Sequence, residues 1–523
     1  MAEKKYLLSI DNGTQSIRAL LFDTEGNLLA KSQVVIEPYV SAQPGWAEQD
    51  PQYYWEMLCK ACHGLWAELP IAKSEIAAAS ICCQRSTVVN LDKEGQPLRP
   101  AIIWLDQRVE QDLPDMGAWN LLFSAVGHRR TVQHFRSQAK SNWIARRQPE
   151  IWRKTDKFLM LSGYHAYRLT GDYVDSIASQ VGYLPFDYKK QQWAGVKDWR
   201  WKALGISPGM LPKLIAPGKS MGAISAQASR ETGIPEGLPL IASGSDKACE
   251  VLGSGSLSPD IGCLSYGTTA TFNISSDRYR EVAPPIPPYP AAVPNTYNAE
   301  IMIQRGYWMV SWFKREFGLR EQEMAKKLGV APEALFDELL KEVPPGSMGL
   351  TLQPYWSPGI KEPGPEAKGA IIGFGDVHTR AHIYRAIIEG LTYALRAGKE
   401  RVEKRSGVKI KTLRVSGGGS QSDQVMQITA DVFGIEAERL HTFETSGLGA
   451  AINAAVGIGF YANYQQAIDV MVRSGDVFTP QAQSCKVYDK LFHDVYQKMY
   501  VRLSPIYRAI RDITGYPGLN LVE

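Results

Sequence analysis

Two carboxylates stand where the chain would turn them toward a ligand. Asp11 closes an apolar run and precedes Asn12-Gly13-Thr14-Gln15-Ser16, while Asp246 follows the buried run Leu238-Pro239-Leu240-Ile241-Ala242-Ser243-Gly244-Ser245. A carboxylate beside a Gly-Thr turn can hold Mg²⁺ through water next to a phosphate chain, because Mg²⁺ keeps most of its waters and takes few protein oxygens. As a turn former alone, Asp11 would be equally ordinary. Asp246 lies at the carboxyl end of a strand, the edge that faces the ligand crevice in α/β proteins, and could take a proton from an attacking hydroxyl. The same position suits a helix N-cap. A second turn, Tyr266-Gly267-Thr268-Thr269, and the run Gly417-Gly418-Gly419 before a helix both offer backbone N–H groups to an anion. No Walker A loop competes for that role: Gly218-Lys219-Ser220 imitates its end, but Lys213 stands where its first glycine is required. Two cradles half a chain apart imply two lobes around one nucleotide.

The elements that position these groups alternate between strand and helix, which defines an α/β chain. Residues 6–35 read as strands around the turn Asp23-Thr24-Glu25-Gly26-Asn27, and Pro51–Leu69 as a helix with Trp55, Leu58, Cys59, Cys62 and Leu65 on one face. A helix-to-strand transition is expected over Ile76–Val89, with helices over Ala139–Arg153 and Asp156–Thr170, the latter capped by Gly171. Further helices are expected at 306–317, 321–327, 332–342, 379–405 and 421–433, and Gly447-Leu448-Gly449-Ala450-Ala451 begins a small-residue helix suited to close packing. Trp308, Trp312 and Phe313 read as core. The run from Pro284 to Pro290 must be extended and cannot form a central strand. With 523 residues, 44% of them hydrophobic, the chain exceeds one core, and lobes of 1–252 and 253–523 are expected, hinged near 250–258 and 440–450 where glycines cluster.

Composition removes several classes of function. Fifty-eight basic residues against 54 acidic ones give a net charge of +4 without a Lys/Arg block, which argues against nucleic acid or a membrane surface as partner. No apolar run approaches the roughly 20 residues of a membrane span, and the first residues lead directly into a strand, so a cytoplasmic location is expected. The seven cysteines read as reduced, buried thiols. Cys59-x-x-Cys62-His63 has metal-like spacing but lies in a helical pattern without a second pair, and His378-x-x-x-His382 reads as a helix start.

Taken together, these residues resemble the FGGY family of carbohydrate kinases, and the likeness covers almost the whole chain. It rests on Asp11-Asn12-Gly13-Thr14, Gln84-Arg85, Trp104-Leu105-Asp106-Gln107-Arg108, Ser137-x-x-Lys140-x-x-Trp143, Gly244-Ser245-Asp246, Gly267-Thr268-Thr269, Arg385-Ala386-x-x-Glu389-Gly390 and Ser416-Gly417-Gly418-Gly419. The resemblance implies two ribonuclease H-like lobes of the fold shared with actin and chaperone ATPases, closing over ATP, Mg²⁺ and a sugar or polyol. It implies Asp246 as general base and Asp11 as the metal-associated carboxylate. Asn12, Gly13, Thr14, Gln15, Gly267, Thr268, Gly418 and Gly419 would meet the nucleotide; Gln84, Arg85, Trp104, Asp106, Phe135, Asp246 and Lys247 would meet the acceptor. A homodimer is one expected assembly.

The acceptor site departs from the better-known family patterns. Where glycerol kinases carry Glu, a pocket Tyr and Gln, this chain has Ser86, Phe135 and Lys247. The Met-His-Gly of xylulokinases is replaced by Cys83-Gln84-Arg85. A pocket without those hydrogen-bonding groups should bind glycerol poorly, so a larger polyol, a ketose or a sugar acid is expected. Lys247 either meets a carboxylate or carbonyl of that acceptor or pairs with Glu250. Ser141 replaces the usual apolar residue after Lys140. Glycerol kinase or xylulokinase proper, an ATP-driven filament or chaperone, and a non-catalytic sugar sensor are the competing readings.

Overall fold

Short apolar runs cut by Asp, Asn and Gly turns fold into a meander of Tyr6–Asn12, Ser16–Phe22 and Leu28–Val35. In this computed structural model, which describes residues 5–282, 286–359 and 363–516, Tyr6–Asn12 also pairs in parallel with Ile76–Cys83, and that strand with Pro239–Ser245. Antiparallel Ser220–Ala223 completes a six-stranded sheet. The parallel strands are buried on both faces, which is why Ile76–Cys83 carries no polar alternation.

The second half repeats this plan. Ile261–Tyr266, Ala270–Ser276 and Tyr297–Ile303 form the meander, Thr412–Ser416 and Ala437–Leu440 follow in parallel, and Ser474–Phe478 is the antiparallel edge. The origin of that edge differs: it precedes the last parallel strand in the first half and follows it in the second. Tyr289–Pro290 adds a seventh strand at the opposite edge, where a proline is tolerated; Pro284 and Pro285 lie outside the described residues.

Each last parallel strand leads to a helix, Asp246–Gly253 in one half and Thr445–Gly457 in the other, and the two helices pack on each other. Their contact is backbone on backbone. A Cβ at Gly253 would stand 2.0 Å from the Thr445 carbonyl oxygen, and one at Gly449 would stand 1.9 Å from that of Cys249. Leu448, Ala451 and Ile452 share a core with Leu7, Leu20, Ala78 and Ile241, so the second half's helix covers the first half's sheet. A four-stranded sheet of Glu48–Gln49, Val88–Leu91, Ala101–Ile102 and Lys157–Met160, with the helices between 118 and 204, builds a separate core around Trp143, Phe158, Phe186 and Leu204. This part carries Trp104 and Phe135.

Three expected elements differ. Ile76–Val89 contains no helix; it is the strand Ile76–Cys83 followed by Val88–Leu91. Asp156–Thr170 begins as the strand Lys157–Met160 and becomes helical at Leu161, because a short run buried on all sides looks alike in either state. The helix expected over Ala139–Arg153 breaks at Gln148, which precedes Pro149 and cannot remain helical. Gly171 does end its helix in the left-handed conformation, at φ 88°. Met309 and Phe313 are buried core, with Trp308 and Trp312 packed against it. Burial pushes the thiols of Cys59 and Cys62 up, the former to about 12. Among the described residues, no cluster of three His, Cys, Asp or Glu could hold a metal, and no helix is long and apolar enough to cross a membrane.

Candidate active site

The carboxyl ends of both sheets meet at one cavity of about 390 Å³, lined by Asp11 and Gly13 from one side, Ser265, Gly267, Gly417 and Gly418 from the other, and Asp246 and Lys247 between them. A larger hollow of about 510 Å³, beside Trp55, Cys59 and His63, is an open surface groove that touches none of the glycine turns.

In the first turn, Gly13 N–H donates to the Ser16 carbonyl at 3.1 Å and closes the hairpin. Asn12 is fully buried; its amide donates to the Gly13 carbonyl at 3.0 Å and accepts from the His165 ring at 2.8 Å. Burial drives His165 down to about 3, so the ring is neutral and Nε2–H is the donor. The Asn12 side chain therefore braces the turn from behind. Thr14 accepts from Trp104 Nε1 at 2.9 Å, and Gln15 reaches Thr268 Oγ1 across the cleft at 3.4 Å.

Hairpin register sets Arg18 opposite Asp11, with Nη1 to Oδ2 at 3.1 Å. The same guanidinium lies 3.3 Å from Glu444, which also pairs with Lys31. Burial pushes the Asp11 carboxyl up to about 6 even though Arg18 opposes it. Asp246 is the first residue of its helix; Ser245, not Asp246, is the N-cap, accepting from Ala248 N–H at 3.3 Å. Asp246 is thereby left to the cavity. Burial raises its carboxyl above the usual range, with Arg85 and Lys247 opposing, which makes it a better proton acceptor than a free aspartate.

Lys247 is paired within the cleft. Its Nζ donates to Glu250 Oε2 at 2.6 Å and to Ser265 Oγ at 2.7 Å. Glu250 in turn accepts from Ser416 Oγ at 2.7 Å. Of the two sequence readings, pairing with Glu250 is the one observed.

In the glycine run, Gly417 has φ 83° and a Cβ there would stand 2.8 Å from the backbone of Tyr266, while a Cβ at Gly419 would stand 2.3 Å from the Tyr307 ring. Gly418 alone is open, with nothing within 4 Å of its Cβ position. Open backbone at Gly13, Gly267 and Gly418, a buried carboxylate and the cations Arg18 and Lys247 make a donor set that fits a polyphosphate with its metal. Gly419 instead serves packing beneath that surface.

At the acceptor end, Arg85 donates to Glu300 Oε1 at 2.9 Å, linking the two lobes, and lies over the Tyr289 ring. Gln84 is buried and donates to the Tyr54 hydroxyl at 3.2 Å. Phe135 packs against Tyr183, their centroids 5.2 Å apart. Ser86 adopts φ 58° and donates to the Val181 carbonyl at 2.8 Å, so its hydroxyl pins a loop. Asp106 needs correction: its carboxylate is fully enclosed, accepting from Ala47 N–H at 2.8 Å and Arg108 Nε at 2.8 Å, with Lys140 at 3.1 Å. Its side chain is fully buried, which leaves no exposed carboxylate face in the structure. Ser141, out of place in the family pattern, is satisfied by the Leu204 carbonyl at 2.7 Å.

Arg18, Ser265, Glu300 and Glu444 escaped the sequence reading as members of the site. Counting outward from the Gly13 turn would have set Arg18 against Asp11; Glu300 and Glu444 carry no local signal.

Two lobes of common topology, with glycine turns facing a shared cavity and a strand-end carboxylate between them, define a two-lobed kinase of the actin-like ATPase fold. Residues 6–253 match the N-terminal domain of the FGGY family of carbohydrate kinases and residues 262–458 its C-terminal domain, and the chain belongs to that family. It is 31% identical to an uncharacterized sugar kinase, YgcE, of Escherichia coli (strain K12), over 95% of this chain and 93% of that one. Against a xylulose kinase of Lactococcus lactis subsp. lactis (strain IL1403) the identity is 29%, covering 96% and 97%. Among solved structures, a gluconate kinase from Lactobacillus acidophilus superposes with a TM-score of 0.80 at 21% identity, covering 97% of this chain and 99% of that one. A Plasmodium falciparum glycerol kinase with ADP gives 0.75 at 19%, covering 95% and 99%. The chain is thus a phosphotransferase with an alcohol group as acceptor.

Proposed function

We propose that this enzyme transfers the γ-phosphoryl group of Mg-ATP to a hydroxyl of a neutral ketose or polyol larger than glycerol, in the cytoplasm, with its lobes divided at 252/253. The observation that carries this reading is the opening of Asp246 into the same cavity as both glycine turns. Asp246 takes the proton of the acceptor hydroxyl, the acceptor oxygen bonds to the γ-phosphorus, the bond from that phosphorus to the β-phosphate bridging oxygen breaks, and ADP leaves. Thr14, held by Trp104, fixes the first turn, while Gly267 and Gly418 present backbone to the phosphates; positioning and charge neutralisation supply most of such catalysis. Mg²⁺, associated with Asp11, would neutralise charge on the phosphates when bound.

A neutral acceptor is favoured because Arg85 is engaged by Glu300, while Glu250 and Ser265 hold Lys247 toward the Gly267 turn and away from Arg85 as a joint carboxylate site. The names of the relatives, a xylulose kinase and a gluconate kinase, bracket the choice. A coupled ADP-release assay with Mg-ATP over ketoses, polyols, aldonic acids and glycerol tests it. Turnover on a neutral ketose or polyol is expected. Gluconate as best substrate would overturn the argument from paired cations, and glycerol as best would overturn the size argument. Silence across the panel with ATP-dependent assembly would replace the kinase reading with a filament.

A further inference from the structure

We propose that Lys247 is a catalytic residue of this chain: its ammonium contacts the terminal phosphoryl group of ATP and steadies the charge on that group as it passes to the acceptor. The inference rests on the kinase reading above and adds a role that the acceptor-site pattern did not suggest.

Position is the first argument. Lys247 follows Asp246 directly, and both open into the cavity that holds Gly13, Gly267 and Gly418. Its Nζ is fixed 2.7 Å from Ser265 Oγ, two residues before the Gly267 turn, so the cation stands between the base and the second phosphate cradle. Valence is the second. An ammonium has three N–H donors; Glu250 and Ser265 take two, and the third has no partner among the described residues. Glu250 keeps the ammonium charged, its own carboxyl held low by that cation and by Ser416. The third argument is what else the cavity offers. Arg18 is shared between Asp11 and Glu444, and Lys31 is paired with Glu444, whereas the second cradle has only neutral groups of its own. The transferring group passes through a loose state with its charge spread over three equatorial oxygens, and a cation already fixed beside them neutralises that charge without reorganising.

In the reaction, the acceptor oxygen–phosphorus bond forms as the γ-phosphorus–oxygen bond breaks, the proton goes to Asp246 and the electron pair leaves with ADP; Lys247 donates a hydrogen bond throughout and neither gains nor loses a proton. The rival role is a tether, since the Lys247–Glu250–Ser416 chain also ties the Asp246 helix to the second sheet.

Binding of Mg-ATP and Mg-ADP to the intact protein, measured by calorimetry for wild type, Lys247→Gln, Lys247→Arg and Ser265→Ala, separates these roles without needing an acceptor. Lys247→Gln should weaken Mg-ATP about tenfold while changing Mg-ADP less than about twofold, with turnover on the best acceptor falling about 100-fold and partly restored in Lys247→Arg. Equal losses for the two nucleotides, or none, would overturn the proposal in favour of the tether. Should Lys247→Gln fail to fold, Ser265→Ala decides: it leaves the charge but frees the ammonium, and an unaltered ATP-to-ADP affinity ratio in that variant overturns the proposal. Wild type that discriminates the nucleotides yet phosphorylates nothing would defeat the kinase reading while the ratio still judges Lys247.

Discussion

Residues 6–35 and 261–303 are the same device built twice, a strand, a Gly-Thr turn and two returning strands, yet their equivalent positions hold different chemistry. Two residues before Gly13 stands Asp11, with Arg18 opposite in register; two residues before Gly267 stands Ser265, with Thr271 opposite. The strand after the first meander is followed by Gln84-Arg85, the corresponding one by Gly417-Gly418; the first crossing helix begins with Asp246, the second with Thr445. Charge is concentrated in one copy, and the other offers open backbone and hydroxyls. Fold and side-chain chemistry are thus separable here: the turn geometry needs only glycine and a β-hairpin, while Asp11 and Asp246 both stand in the first copy.

That contrast can be broken at its strongest point by Asp246→Asn, which should cut turnover about 10³-fold while leaving Mg-ATP affinity within about twofold. Thr445→Ala, at the equivalent position of the other copy, should leave turnover within a few-fold in the same ADP-release assay. Undiminished turnover in Asp246→Asn removes it as the base. Next in size, Gly449→Ala forces a methyl against the Cys249 carbonyl and should cost about 3 kcal/mol, read as a lower denaturant midpoint.

Asp11 offers a pH test. Its carboxyl rises from 3.8 to about 6 in the fold through burial, so the native state holds a proton that the unfolded chain releases. Its stabilising contribution is full below about pH 4 and lost as pH rises through about 6, a fall of about 2–3 kcal/mol. Asp11→Asn cannot ionise, so without ligand it should be more stable than wild type at pH 7.5 by about that amount, though its Mg-ATP binding is weaker; pH-dependent unfolding of the two proteins checks this. The smallest effect is expected at Gly418→Ala, where a methyl would project into the cavity: about tenfold weaker Mg-ATP binding with an unchanged unfolding midpoint, in contrast to Gly449→Ala.

The glycine turns and Asp246 were legible because they are local, each a strand end and a turn within a few residues. Asp106 was legible as a position and misread as a contact, since Ala47 and Lys140, which enclose it, lie far along the chain. Lys247 shows the boundary sharply. Its i,i+3 relation to Glu250 could be counted in the sequence, but Ser265, which turns it toward the Gly267 turn, reaches it only through the packing of the two halves. Glu300 and Arg85 meet for the same reason. Over Ile76–Val89 a helix-to-strand transition was expected where a strand runs from Ile76, because burial on both faces erases the alternation that distinguishes strand from helix.

The crossing of Asp246–Gly253 with Thr445–Gly457 has a consequence for symmetry. Gly253 abuts Thr445 and Gly449, and Gly449 abuts Cys249, so the same patch of each half meets its counterpart, as in an isologous dimer interface. In a true homodimer every substitution appears on both sides of the axis at once. Here both halves lie on one chain, so each side could change independently, and the residue that begins the helix is Asp246 in one half and Thr445 in the other.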